Sequence, residues 1–268
     1  MELGGRVAVV TGGGRGIGRA IAAALVREGG RVMLADLEAA PQTAAELGAE
    51  GMRCDVRCAR DIEALVAETE QRLGPVEIFV SNAGVGFGEP DHAASAPDAH
   101  WQACWEVNVM AQVHAARAVL PGMIARGEGY LVNVASAAGL LAQIGDAAYT
   151  ASKHAAVGFA ESLAITHRDD GVRVSVVCPQ YVATAMIGYA DGDAGDASGV
   201  LSPESVAEAV LDGMRAERFL ILPHPQVATH VARKAGDPER WLEGMRALRR
   251  RALQEHGRAD PVTIHRLV

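Results

Sequence analysis

The chain has 268 residues, with 49% hydrophobic and 22% charged side chains, an ordinary balance for a globule with a substantial core. Its 25 Lys and Arg against 33 Asp and Glu give a net charge of −8, which argues against a general binder of nucleic acid or of anionic membrane. Cys54, Cys58, Cys104 and Cys178 form no Cys-x-x-Cys motif and have no His cluster near them, so no metal is expected. Reduced thiols in a cytoplasmic protein are expected instead. The opening Met1-Glu2-Leu3-Gly4-Gly5 lacks the basic and apolar segments of a signal peptide, and no run is long and apolar enough to cross a membrane.

Arg6–Val10 is a short apolar run rich in β-branched residues and reads as a buried strand. Thr11-Gly12-Gly13-Gly14-Arg15-Gly16-Ile17-Gly18 follows, and then the helical pattern Ala20–Val26. Strand, glycine turn and helix in that order suit a dinucleotide-binding loop, where bare backbone approaches a pyrophosphate at a helix N-terminus. Arg31–Asp36 is the next strand. Asp36 lies 18 residues beyond Gly18, near the spacing of a carboxylate that holds the adenosine ribose. Such a carboxylate repels the 2′-phosphate of NADP, so NAD is favoured, although Arg15 could contact that phosphate.

Residues 41–50 read as a short helix, 51–56 as a strand and 60–73 as an amphipathic helix stopped by Gly74-Pro75. Asp55 could approach the adenine or simply end its strand. Val76–Ser81 is a fourth strand that runs into Asn82-Ala83-Gly84, suited to ligand contact or to a turn. After a loop over 85–97, a long helix is expected from Asp98 to Arg126. Asn108 sits in its middle, where Asn is disfavoured, so a kinked backbone or a bound water is one reason for it. Gly129–Ser136 is a fifth strand with Ser136 at its end, and a loop over 139–148 follows it.

Tyr149-Thr150-Ala151-Ser152-Lys153 then opens a helix. At i and i+4, Tyr149 and Lys153 share one face, so an ammonium stands beside a phenol and is expected to lower its pKa from near 10. Gly171–Cys178 is a sixth strand ended by Pro179-Gln180. Residues 184–200 read as a lid over a substrate or as a surface insertion. Ser202-Pro203-Glu204 starts another helix, Phe219–Pro223 is a seventh strand, and 225–257 look helical with a break near Gly236-Asp237-Pro238. Arg246, Arg249, Arg250 and Arg251 read as a solvated helix face.

Strands alternating with helices imply an α/β fold, a Rossmann-like doubly wound parallel sheet of about seven strands. One domain spans 1–257, with a core over about 5–225 and a helical extension over 225–257; 258–268 is a tail that can be flexible. The chain resembles the short-chain dehydrogenase/reductase family over roughly 5–225. The motifs that carry the resemblance are the Thr11–Gly18 loop, Asp36, Asp55-Val56, Asn82-Ala83-Gly84, Asn108, Ser136, Tyr149 and Lys153, with Ser136 preceding Tyr149 by 13 residues.

That resemblance implies an NAD-dependent oxidoreductase acting on CH–OH groups. It gives Tyr149 the role of general acid/base, with Lys153 tuning it and binding the nicotinamide ribose. Ser136 would orient the substrate oxygen, and Asn108 would hold a water linking Lys153 to solvent. Cofactor contacts would come from Thr11, Gly12, Gly14, Arg15, Gly16, Ile17, Gly18, Asp36, Leu37, Asp55, Val56, Asn82, Ala83, Gly84, Tyr149, Lys153, Pro179, Val182 and Thr184. A homodimer or homotetramer is implied as well. Gln180 departs from the glycine usual in the family after that proline, which bears on the loop near the nicotinamide. A non-catalytic dinucleotide sensor has no need for Ser136, Tyr149 and Lys153 together. An epimerase or dehydratase would need a larger substrate domain. Substrate contacts are expected from Gln143, Ile144, Tyr181, Met186, Ile187 and Tyr189, which suits a fairly apolar alcohol or ketone.

Overall fold

The structure, a computed structural model, describes residues 1–89, 91–190 and 199–267. Seven parallel strands form one sheet: β1 (Val7–Thr11), β2 (Arg31–Asp36), β3 (Glu50–Arg53), β4 (Ile78–Ser81), β5 (Gly129–Val134), β6 (Val172–Val177) and β7 (Leu220–Ile221). Their order is β3-β2-β1-β4-β5-β6-β7. The chain therefore winds outward in one direction from β1 and in the other from β4, and the crevice between those two carboxyl ends is where an open parallel sheet takes ligands.

The central strands are buried on both faces, so they read as continuous apolar runs, and their two-residue period sorts the side chains. Ala8 and Val10 of β1 join one core layer, with Ile21 and Leu25 of α1 (Gly16–Arg27) and Val210 and Leu211 of α7 (Pro203–Arg215). Val9 faces the other layer, with Ile62 and Leu65 of α3 (Ala59–Leu73), Ala115 of α5 (Ala111–Arg126) and Ala160 of α6 (Ala147–His167). Small alanines let these helices lie close to the strands.

Three details differ from the sequence reading. The strand expected over 51–56 stops pairing at Arg53; the Cys54 amide still reaches Asp36 O at 2.9 Å, but the Asp55 amide turns to the Asp61 carboxylate at 3.0 Å. Asp55 and Val56 thus leave the sheet toward the crevice. The long helix over 98–126 is divided: α4 (Asp98–Trp105) passes into a single wide π turn, Glu106–Met110, before α5. An inserted residue of this kind re-aims the side chains it carries, and Asn108 lies at the turn's centre.

The third concerns the C-terminus. The helical extension is two helices, α8 (Gln226–Gly236) and α9 (Pro238–His256), broken at Asp237 as expected. Residues 258–267 are not a loose tail. Asp260 caps a short α10 (Pro261–Ile264) through a capping box with Thr263, and Thr263, Ile264 and His265 are buried. His265 packs against the rings of Tyr181 and Tyr189 at 5.9 and 5.8 Å between centroids. The part of the expected lid at 191–198, and Val268 of the tail, lie outside the described residues.

Ending the chain after Gly257 exposes the partners of Ile264 and His265. Loss of one buried aliphatic side chain alone costs about 2 kcal/mol. Urea denaturation followed by circular dichroism should show at least that loss, and an unchanged midpoint would refute the packing role of the segment.

Candidate active site

The crevice is built first by stitches between two strand ends. Thr11 Oγ1 accepts from the Asn82 amide at 3.0 Å and the Ala83 amide at 3.3 Å. Asn82 Nδ2 donates back to Thr11 O at 3.0 Å and Gly12 O at 3.1 Å. The loop can come this close only without side chains. Gly12 has φ +61°, and a Cβ there would lie 2.9 Å from Ala83 Cα; a Cβ on Gly18 would run into Gly12 O and Asn82 Nδ2. Thr11, Gly14 and Gly18 shape the crevice rather than line it.

The Asp36 carboxylate closes the far end. It accepts from the Gly14 amide at 3.0 Å and the Glu38 amide at 3.3 Å, which fixes its position beside the glycine loop. At the start of α1, Arg15 offers no side-chain cap, so the first-turn amides are free to meet an anion. Asp55 is engaged by Arg57, whose Nη2 lies 2.6 Å from its Oδ2 and holds its carboxyl below the usual range. Sequence reasoning missed Arg57, which joins the crevice wall only because the chain leaves the sheet after Arg53.

Together these residues enclose a cleft of about 620 Å³. Of the expected cofactor contacts, Gly12, Arg15, Gly16, Ile17, Asp36, Leu37, Asp55, Val56, Asn82, Ala83, Gly84, Pro179, Val182 and Thr184 line it, as do Ser136, Tyr149 and Lys153. A dinucleotide fits this set: bare backbone at the glycine loop, open helix amides, and a carboxylate at the end of β2. Among the described residues, no group of three or more His, Cys, Asp or Glu could hold a metal.

At the other end of the cleft, Ser136 ends β5 and Tyr149 and Lys153 share the inward face of α6. Ser136 Oγ accepts from the Ala138 amide at 3.1 Å, and Ser136 and Tyr149 line the same end of the cleft. Lys153 Nζ donates to Val134 O at 3.1 Å and lies 5.5 Å from the Tyr149 ring centroid. The expected fall in the phenol pKa is not what the surroundings produce. Part of Tyr149 opens to the cleft, yet dense packing pushes its phenol up to about 12; the Ser136 hydroxyl pulls it down and the Asp146 carboxylate pushes it further up. The same desolvation lowers Lys153 to about 8. Burial disfavours either charge, and the shared helix face does not overcome it.

Asn108 is fully buried and its side chain is fully used. Nδ2 donates to Val85 O and to Ser152 Oγ, both at 2.9 Å, and Oδ1 accepts from the Val85 amide at 2.9 Å. Ser152 Oγ donates to Tyr149 O at 2.8 Å. Asn108 thus ties the loop after Gly84 to the helix that carries Tyr149.

Two carboxylates that sequence reasoning missed complete that tie. Asp146 is the N-cap of α6, with Oδ1 accepting from the Tyr149 amide at 3.0 Å. Its Oδ2 accepts from the Phe87 amide at 3.0 Å and the Gly88 amide at 2.9 Å. Glu89 Oε2 accepts from the Ala147 amide at 3.0 Å. An Asp three residues before a helix's inward Tyr is an N-cap signal, but its second set of partners comes from a loop 58 and 59 residues away.

The expected substrate contacts divide between two cavities. Met186 and Ile187 line the cleft, whereas Ile144 and Tyr181 line a second cavity, and Gln180 lines both. Gln143 Oε1 accepts from the Tyr181 hydroxyl at 3.4 Å. The buried His224, also missed, accepts the Gln180 amide on Nδ1 at 3.1 Å and donates from Nε2 to Tyr181 O at 3.0 Å. Burial lowers its pKa and keeps it in the neutral form this pairing needs.

A family model described as "short chain dehydrogenase" matches residues 6–194. The chain belongs to the short-chain dehydrogenase family. It is 41% identical over 195 residues to "2-(S)-hydroxypropyl-CoM dehydrogenase 3" of Xanthobacter autotrophicus, covering 70% of this chain and 75% of that protein. It is 37% identical over 234 residues to "1-deoxy-11-beta-hydroxypentalenate dehydrogenase" of Streptomyces exfoliatus, covering 82% and 84%. Among solved structures, a short-chain dehydrogenase/reductase from Burkholderia phymatum in complex with NAD superposes with a TM-score of 0.81 at 32% identity, covering 89% of this chain and 96% of that one. The Thr11–Gly18 loop, the strand-end residues and the Tyr149–Lys153 helix all fall inside the matched region.

Asp146→Ala removes a buried acceptor of three amides, which costs about 1–3 kcal/mol per amide left unpaired. Thermal unfolding should show the loss, and Asp146→Asn, which keeps an acceptor, should recover part of it. Equal stability of Asp146→Ala and the parent would contradict this role.

Proposed function

We propose that the protein is an NAD-dependent oxidoreductase that interconverts a secondary alcohol and its ketone, with Tyr149 as the group that exchanges a proton with the substrate oxygen. The convergence of Ser136, Tyr149 and Lys153 at the end of a cleft with a dinucleotide-shaped far end carries this reading. The nicotinamide, when bound, supplies the hydride acceptor or donor. The Asp36 carboxylate would receive the adenosine ribose hydroxyls, and the negative charge there would exclude a 2′-phosphate.

Ser136 and Tyr149 line the same end of the cleft, where one substrate oxygen would meet both hydroxyls. A phenol held near 12 is protonated at neutral pH and is a proton donor. In that state it can protonate the oxygen of a ketone as the carbon receives hydride. In the reverse direction the phenol must first release its proton. Lys153, lowered to about 8, sits where a proton taken from Tyr149 could be relayed. Asn108 would contribute to the relay through its backbone carbonyl, which receives Gln112 Nε2 at 3.1 Å, because its side chain is committed to Val85 and Ser152. Positioning and charge stabilisation are the protein's share of the catalysis.

The raised phenol pKa sets the sign of the pH dependence. The protonated form persists to high pH, so ketone reduction should be nearly flat from about pH 6 to 8, while alcohol oxidation should climb with pH through the same range and beyond. Initial rates in both directions check this, and an oxidation rate that falls as pH rises would refute it. Tyr149→Phe should lower kcat by about a hundred- to ten-thousandfold, the worth of positioned acid–base catalysis. NAD affinity, read by titration calorimetry, should stay nearly unchanged. Normal turnover by that variant would end the mechanism, and NAD binding without turnover of any alcohol by the parent would favour a dinucleotide sensor. Asp36→Ala should narrow the preference for NAD over NADP by about tenfold, or about 1.4 kcal/mol.

A further inference from the structure

Beyond the cleft lies a larger cavity of about 970 Å³, roofed by α8 and α9. Its wall is mostly apolar: Ile144, Tyr181, Trp241, Met245, Leu248 and Ile264 are among its lining residues. The volume falls in the range of small-molecule sites, about 300–1,000 Å³. It is a built feature. Lys234 Nζ on α8 donates to Leu140 O at 2.9 Å and Leu141 O at 3.0 Å and lies 5.0 Å from the Trp241 ring, which pins the helix pair to the loop after β5. The capped α10 supplies Ile264 from the other side.

Its charge is selective. Arg246, Arg250 and Arg251 of α9 pair with Glu243 or Glu255. Arg233 and Arg240, which line the cavity at its exposed side, have no carboxylate partner among the described residues. Asp237 also lines it, but its Oδ1 accepts the Arg240 amide at 3.0 Å as the cap of α9. Two such guanidiniums over an apolar chamber, in a chain of net charge −8, match a ligand with an apolar body and one acidic group.

The cavity and the catalytic cleft share Gln180. Gln180 stands where the family's glycine is usual, accepts from Gln226 Nε2 at 3.3 Å, and is held with Tyr181 by His224. Gln180 therefore stands at the boundary between the two chambers.

We propose that this cavity seats the remote half of the substrate, an amphipathic acid whose carbinol reaches Ser136 and Tyr149 while its anionic end meets Arg233 and Arg240. The proposal rests on the oxidoreductase reading for the carbinol end alone. The apolar lining holds the intervening carbon chain, and the acid selects among alcohols of equal length.

The test uses the full-length protein with NAD and three alcohols: a medium-chain (ω−1)-hydroxy fatty acid, its methyl ester, and isopropanol. In Arg233→Ala/Arg240→Ala, the ratio of kcat/KM for the acid to that for isopropanol should fall about tenfold, and the ratio for the ester should not. Gly244 lines the cavity, and a Cβ there would meet nothing within 4 Å, so Gly244→Phe is a filler that should lower the ratio for acid and ester alike. Dodecanoate, which has no carbinol, should quench Trp241 fluorescence in the parent and lose affinity in both variants, with Trp241→Phe identifying the signal. Ratios unmoved in both variants, no saturable quenching, or a change of subunit number in place of a change of KM would each overturn the proposal. Dodecanoate binding without turnover of any alcohol would retain the cavity as a site and remove the oxidoreductase reading, so the two failures are distinguishable.

Discussion

The stitch between the ends of β1 and β4 is the constraint on which the site depends. Strand order reverses between these two neighbours, which opens a crevice there, and Asn82 and Thr11 hold it at a fixed width by four hydrogen bonds. The glycine loop is then forced against Asn82, and this is why Gly12 and Gly18 cannot carry side chains. With the width set, the Asp36 carboxylate, the helix amides of α1 and the end of β5 fall on one edge of the sheet. A looser crevice would leave the same residues present but scattered.

Around Tyr149 and Lys153, loss of water outweighs every other influence on charge. Tyr149 and Lys153 are i and i+4 on a helix, and in water that spacing would favour phenolate through the neighbouring ammonium. In the packed site both groups shift toward their neutral forms, the phenol to about 12 and the amine to about 8. Under the proposed function the phenol is then a proton donor rather than a ready base. Its position is maintained by groups that do not touch the cleft's chemistry. Asp146 caps α6 and grips the segment after Gly84, Glu89 of that segment accepts from the Ala147 amide, and Asn108 grips the segment again from the π turn. Two distant segments, residues 85–89 and the π turn, thus hold one helix end, which leaves the phenol little freedom to drift.

The C-terminal part of the chain is built differently. Among the described residues no strand follows β7, so α8, α9 and α10 are held by side-chain devices: Lys234 on two carbonyls, the Asp237 and Asp260 caps, and His265 against two tyrosine rings. Such devices leave space between helices, and the second chamber is that space. Its chemistry differs from the cleft's, since it is apolar with Arg233 and Arg240 on its lining.

The order of strands and helices, the glycine loop, Asp36 and the Ser136–Tyr149–Lys153 set were legible in the sequence because each rests on local periodicity or short spacing. Period two in the strands and near four in the helices survives into the fold unchanged, and backbone-bare loops advertise themselves as glycine. Tertiary structure decided the rest. The π turn at Asn108, the departure of the chain from the sheet at Cys54 and the second partners of Asp146 depend on segments that meet only after folding. So do the direction of the Tyr149 shift, since desolvation is a property of surroundings, and the docking of residues 258–267, whose few apolar side chains carry no periodic signal. The sequence by itself determined which chemical groups the protein possesses and on which elements they ride; only the packed structure determined their charge states and the shape of the space they face.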